Sequence, residues 1–332
     1  MRWLKILLYT LGILIIVFLF GPKTDTPEYL TDMPAVPATA GLEQYIAANE
    51  AQHKLRPDNE ARIVWANDSL KQKTEYAIIY LHGFSASQEE GNPTHRNIAK
   101  TFGCNLYLSR LSQHGIDTTD QLVNLTADNY WESAKQALAI GKQLGNKVIL
   151  MGTSTGGTLA LQLAATYPDA IAALVLYSPN IAINNPNAWL LNDHWGVQIA
   201  RLVKGSKYTE AEDERPAYKQ YWNKIYRLEA VAALQELLET SMNKETFSKV
   251  KQPVLLLYYY KDEQHQDDVV KVSALRKMYT ELGTDTTRRR SIALPNTGNH
   301  VLGSHIKSKD LAGVERETKD FLEDILKIKP QN

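Results

Sequence analysis

The sequence predicts an α/β fold: a mostly parallel central sheet with helices on both faces and a helical cap inserted late in the chain. Three observations predict it. Short β-rich runs at 62–66, 76–82, 105–111, 147–151, 173–178, 253–260 and 291–294 alternate with helical patterns at 94–102, 127–144, 155–167, 269–282 and 310–327. Such alternation implies parallel strands joined by crossover helices. Second, the turn Gly152-Thr153-Ser154-Thr155-Gly156 passes directly from a strand pattern to a helix pattern. Third, the interval 180–251 carries no strand pattern, abounds in Trp and Tyr, and is too long for a bare loop in a compact domain.

With 332 residues, 44% hydrophobic and 22% charged, the chain is able to bury a large core. Lys plus Arg equals Asp plus Glu at 37 each, so no bulk charge draws it to nucleic acid. Cys104 is the only cysteine, which rules out a disulfide framework and cysteine-based zinc spacing; it reads as core filler. The chemistry expected below requires neither cofactor nor metal.

The chain opens on an apolar run, 3–20, broken only by Lys5 and Thr10. As a helix it spans about 27 Å, close to the hydrocarbon thickness of a bilayer. Arg2 and Lys5 lie at its start, while Asp25, Glu28 and Asp32 follow it, so the positive-inside bias places the N-terminus in the cytoplasm and the body outside. No small-x-small site follows the run, which favours an uncleaved anchor over a cleaved signal peptide. Pro22, Pro27, Pro34 and Pro37 then mark a stiff linker, and Leu42, Tyr45 and Ile46 a short helix. The expected organisation is an anchor at 1–22, a linker at 23–40, a body at 41–180 and 252–332, and a cap at 181–251. The cap's Trp189, Trp195 and Trp222 are expected to wall a pocket, and His194 to be a cap residue.

Gly-x-Ser-x-Gly between strand and helix is the setting of a nucleophile elbow. A serine there is held in a strained backbone conformation above the sheet edge, at a helix N-terminus that favours developing negative charge. Small residues two positions away let neighbouring chains pass close by. Serine needs a base, and the base an orienting acid. His300 in "LPNTGNHVLGS" follows the last strand and is the expected base, with His305 the alternative. Asp262 comes directly off the strand in "PVLLLYYYKDEQHQDDVV" and is the expected acid, with Asp268 the alternative. Asp267 and Asp268 stand nearer the next helix, where acids serve as caps. Two preorganised N–H donors are expected from Phe84, in the strand-ending "YLHGFSAS", and from Thr155.

At these residues the chain resembles the α/β-hydrolase superfamily, and more narrowly the branch of monoacylglycerol lipases and small carboxylesterases. The carrying segments are "YLHGFSAS", "LYLSRLSQHG", "GTSTGGTLALQLAATYPD", "YYYKDE" and "TGNHVLGS". The resemblance implies Ser154, Asp262 and His300 as a triad, with Phe84 and Thr155 as oxyanion donors. The branch's "RL-x-GHG" appears with Gln113 in place of its first glycine, its "T-x-x-D-W" as Thr126 to Tyr130, and Thr153 and Thr155 stand where its elbow usually carries Leu and Met. His114 is expected to be structural. The expected function is a membrane-anchored serine hydrolase that cleaves acyl esters through an acyl-enzyme, its partners a small acyl-ester or lipid-like substrate and the membrane. An aminopeptidase or thioesterase would use the same machinery. A non-catalytic binding protein of this fold is disfavoured because no triad member is missing.

Overall fold

The computed structural model describes residues 2–331. An apolar helix α1 (Arg2–Leu19) buries none of its side chains and is long and apolar enough to cross a membrane. After α2 (Leu42–Glu50), seven of the nine strands among the described residues build one sheet: β1 (Arg62–Val64), β2 (Thr74–Leu81), β3 (Asn105–Leu108), β4 (Gly145–Thr153), β5 (Ala173–Tyr177), β8 (Val254–Tyr258) and β9 (Arg289–Ala293). Its order is β1-β3-β2-β4-β5-β8-β9. Only β1 runs antiparallel to its neighbour; the other pairs are parallel. Each of the seven expected strands is present.

Helices cover both faces: α3 (Thr94–Thr101), α4 (Ala127–Leu144), α5 (Thr155–Thr166), α10 (Val272–Glu281) and α11 (Leu311–Asp324). The strand pleat sorts the core into two layers. Ala77, Ile79 and Leu81 of β2 join one cluster with α4 and α5, while Ile78 and Tyr80 join the other with α3 and α11. Local chemistry starts α4: Thr126 Oγ1 accepts from Asn129 N–H at 3.1 Å and Asn129 Oδ1 from Thr126 N–H at 3.0 Å, a capping box.

The inserted segment departs from expectation in two ways. Besides α6 (Gly196–Lys204) and α7 (Pro216–Tyr221), it holds an antiparallel ribbon of β6 (Tyr208–Glu210) and β7 (Ile225–Arg227), where no strand was expected. Three-residue strands are too short to show alternation. The last helices, α8 (Leu228–Ser241) and α9 (Lys244–Lys249), lend Ala230, Leu237 and Phe247 to the body's own core, so the cap-like part ends before residue 251.

The proline-containing stretch is no free spacer. Lys135 Nζ donates to Leu30 O and Asp32 O at 2.7 and 2.9 Å, and Trp131 Nε1 to Leu30 O at 2.7 Å. Tyr167 Oη donates to Thr31 O. These donors sit on α4 and just beyond α5, so the strap runs across the helical face of the body. Its lack of apolar periodicity hid this, because backbone carbonyls make the attachment.

Candidate active site

The order of strands determines where a site can form. From β2 the chain moves outward to β3 and then returns to place β4 on β2's other side. The loops leaving β2 and β4 therefore diverge and open a crevice at the sheet's carboxyl edge. Both loops carry predicted residues.

On β4's side stands Ser154, at φ 53° and ψ −121°, a conformation L-residues avoid. The surroundings enforce it. Ser154 N–H donates to Tyr177 O at 3.0 Å, and Ser154 O accepts from the N–H groups of Gly157, Thr158 and Asn180. The flanking glycines answer to sterics: a β-carbon on Gly156 would overlap Leu81 O, and one on Gly152 would lie 2.5 Å from Gly156 C. Ser154 occupies the N-cap of α5, yet its hydroxyl makes no capping bond. The nearly buried hydroxyl is left to the cavity beside it.

On β2's side, two neutral histidines shape the loop after Leu81. Leu111 N–H donates to His82 Nε2 at 3.0 Å, so the proton sits on Nδ1, which donates to Gly83 O at 2.9 Å. Likewise Ser85 N–H donates to His114 Nε2 at 3.0 Å, and His114 Nδ1 donates to Ser112 O at 2.7 Å. Burial keeps both neutral, pushing His82 down to about 4 and His114 well below the usual range. His114 is thus a strut of the loop. Among the described residues, neither Phe84 N–H nor Thr155 N–H meets a protein acceptor.

His300 lies beyond β9, where expected, and is buried. Its Nδ1 faces Asp267 Oδ2 at 2.7 Å, not Asp262. The expected acid is overturned by a reverse turn. After Tyr259 the chain makes a short excursion in which Tyr260 pairs with Gln266. Asp262 Oδ1 ties this turn down by accepting from Gln264 and His265 N–H and from His265 Nδ1. The chain then returns, with Asp267 N–H donating to Tyr259 O at 3.1 Å, so Asp267 rather than Asp262 stands level with the strand end. Its Oδ1 accepts from Val269 and Val270 N–H at 3.0 and 3.1 Å. Burial works to raise its pKa, but His300 and these donors hold it below the usual carboxylate range. Burial would likewise lower His300, yet Asp267, with Glu90 and Asp268, holds it above the usual histidine range.

His300 Nε2 has no hydrogen-bond partner, and with Ser154 it lines a cavity of about 420 Å³. Serine and imidazole are not hydrogen-bonded to each other, unlike the contact of about 3 Å expected of such a pair. His305 lies elsewhere, exposed, with Nδ1 donating to Asn92 O at 3.1 Å, and Asp268 lines the cavity while His300 Nδ1 is bonded to Asp267 instead. Phe84, Tyr218, Trp222, Tyr226 and Leu234 supply apolar wall. Trp222 is thus placed as expected, whereas Trp189 is exposed and Trp195 packs on α1.

One residue escaped notice in the sequence. Glu90 is buried in the cavity wall, its Oε2 accepting from Gly83 N–H at 2.5 Å. A β-carbon on Gly83 would lie 2.8 Å from Glu90 Oε1 and 3.0 Å from Ser154 Cβ, so the carboxyl and the serine press on one face of that glycine. Burial pushes its pKa up to about 7. The adjacent acids Glu89-Glu90 in a loop of small residues were the only signal.

The comparisons agree with this architecture. No curated protein sequence matches the chain. Among solved structures, a metagenome-derived lipolytic enzyme reported under LipS and LipT superposes with a TM-score of 0.64 at 17% identity, covering 82% of this chain and all of that one. The monoacylglycerol lipase of Paleococcus ferrophilus reaches 0.57 at 14% identity, covering 80% and 99%. Est1E of Butyrivibrio proteoclasticus, with ferulic acid bound, reaches 0.56 at 18% identity, covering 81% and 95%. At these identities the likeness is one of fold. The family model of the serine aminopeptidases S33 matches residues 127–294, just over half of the chain and including Ser154 and Asp267. The chain has the α/β-hydrolase fold and belongs to the serine aminopeptidase S33 family of hydrolases.

Proposed function

We propose that the protein is a membrane-anchored serine hydrolase of acyl esters, with Ser154, His300 and Asp267 as its triad. His300 Nε2 takes the hydroxyl proton as Ser154 Oγ attacks the ester carbonyl. Phe84 and Thr155 N–H receive the developing oxyanion, and the same imidazole returns the proton to the leaving alcohol. Water, deprotonated by His300, then attacks the acyl-serine, releasing the carboxylic acid and restoring the hydroxyl. Asp267 holds the imidazole with Nδ1 protonated and balances its charge while it carries the extra proton. The carrying observation is the buried His300–Asp267 pair whose free Nε2 shares a cavity with a strained, uncapped serine. The apolar wall suits an acyl chain. α1 supports attachment to a bilayer through its length, its composition and its lack of any buried side chain.

The test is Ser154→Ala. Ester hydrolysis should fall by about a million-fold and labelling by a fluorophosphonate probe should vanish, with the fold retained. Wild-type labelling in the variant would refute the nucleophile. One observation favours a second substrate class: the Glu90 carboxyl in the cavity is placed to receive a substrate ammonium, as an aminopeptidase requires. Amino-acyl arylamides hydrolysed faster than acyl esters would decide for it.

A further inference from the structure

α6 is a nine-residue helix with two unlike faces. Toward α8 it presents Val197 and Arg201, the latter paired with Glu229. On its other side Ile199, Leu202 and Val203 stand at i, i+3 and i+4, with Leu202 84% and Val203 83% exposed. The preceding turn adds exposed Trp189 and Leu190. Leaving so much contiguous aliphatic surface in water is costly.

This face does not stand alone. The carboxyl end of α1 is fastened to the residues that begin α6. Trp195 Nε1 donates to Val17 O at 2.9 Å, Trp195 N–H to Pro22 O at 2.8 Å, and His194 Nδ1 to Gly21 O at 2.9 Å. The first satisfies a carbonyl that the helix end leaves orphaned, and the other two hold the residues just past it. A β-carbon on Gly21 would overlap the Trp195 indole, so the contact needs that glycine. Leu14, Val17 and Phe18 of α1 then form one continuous apolar groove with Trp195, Ile199 and Leu202. Lys204, the last residue of α6, and Lys23, four residues beyond α1, are both exposed.

We propose that α6 is an interfacial helix, lying in the lipid–water boundary of the bilayer that α1 crosses, so that the occupant of its apolar face is the lipid surface itself. The inference rests on α1 being a membrane span. If α1 spans, its last turn emerges at the headgroup level, and the hydrogen bonds above hold α6 at that depth. A protein partner on the same groove would have to enter hydrocarbon to reach Leu14 and Val17. An indole at the exit of a spanning helix, and exposed lysines just past that helix and at the end of α6, are what that boundary favours. The strap at residues 30–32 leaves the body little freedom to swing away. Docked so, the cap that carries Tyr218 and Trp222 of the cavity wall meets the membrane, and a lipid-like ester has a short path from the bilayer to Ser154.

The full chain, reconstituted in phosphatidylethanolamine–phosphatidylglycerol vesicles, tests this. Cys104 is the only cysteine, so in a Cys104→Ala background Leu202→Cys, Val203→Cys and, as an exposed control on α9, Glu245→Cys each carry a single fluorophore. We expect labels at 202 and 203 to be quenched by doxyl-labelled lipid and shielded from aqueous iodide at least fivefold relative to the label at 245. Labels as open to iodide as the control, in protein that survives a carbonate wash, overturn the α6 proposal while leaving the anchor standing. Protein stripped by the wash overturns both. Shielding from iodide without quenching by lipid means that a second copy or another protein covers the face, and also overturns it. In addition, Leu202→Gln with Val203→Gln should slow hydrolysis of a long-chain ester embedded in vesicles about tenfold while leaving a soluble acetyl ester unaffected. Equal rates on the embedded ester would overturn the entry path.

Discussion

Two aspartate–histidine pairs stand within one stretch of the molecule, and they differ in almost nothing but water. His300 Nδ1 meets Asp267 at 2.7 Å and His265 Nδ1 meets Asp262 at 2.8 Å. In the first pair the side chains are 7% and 0% exposed, in the second 62% and 44%. Water screens the outer pair, whose work is to tie down a turn. The inner pair is dry, so the carboxylate acts on its imidazole at full strength and determines its tautomer, its orientation and its charge. Equal contacts make unequal chemistry because the surrounding dielectric, not the distance, sets what a contact is worth.

The sharpest way to break this contrast is to cut each pair in turn. Asp267→Asn should lower kcat on a soluble ester by about 10⁴-fold, because the amide permits the wrong imidazole tautomer. Asp262→Asn should change it by less than about twofold, since a screened surface pair contributes little. Comparable losses would mean that the two pairs do not differ as their burial says.

A smaller effect lies in the pH dependence. His300 must be neutral to accept a proton, and Asp267, Glu90 and Asp268 hold its pKa up. Activity should therefore fall with acidification along a limb lying above about pH 6.5, the ordinary histidine value. Glu90→Gln removes one of these negative charges, so the limb of kcat/KM should move to lower pH. The rate at pH 8 should stay within about threefold, because the amide oxygen can still accept from Gly83 N–H. As Glu90 titrates near 7 itself, the wild-type limb should report a coupled pair of ionisations rather than one. A limb unmoved by Glu90→Gln would show that its charge does not reach the imidazole. The same titration on Asp262→Asn supplies the smallest expected effect, no shift at all.

The elbow was legible because the residues that mark it are consecutive. Gly152 and Gly156, an apolar strand before and a helix after mark the turn at Ser154, while Tyr177 O, Asn180 N–H and the close pass of Leu81 complete it from other segments, and all seven strands of the main sheet were visible in the pattern of residues. His300 was legible for a related reason: it follows the last strand by a few residues, and the register of that strand places it. Asp267 was not. The carboxylate that meets His300 does stand at the strand end, but the chain turns back at 260–266, and a turn stabilised by Asp262's own side chain cannot be told from a departing loop by counting. Glu90 was hidden for another reason. Its neighbours Gly83, Ser154 and His300 come from three separate segments, so no spacing along the chain marks it.

What the amino-acid sequence determined by itself was therefore whatever a few consecutive residues can encode: strand and helix periodicity, the place of the serine at a strand-to-helix turn, and an apolar helix long enough to span a bilayer. Only the tertiary structure decided which carboxylate serves the histidine, that the proline stretch is strapped to α4 by Lys135 and Trp131, and that Trp195 clasps α1 while Trp222 walls the cavity. Those outcomes depend on burial and on partners brought together from distant segments. Burial belongs to the whole packed chain, so it is settled only once the sheet, its helices and the cap have come together.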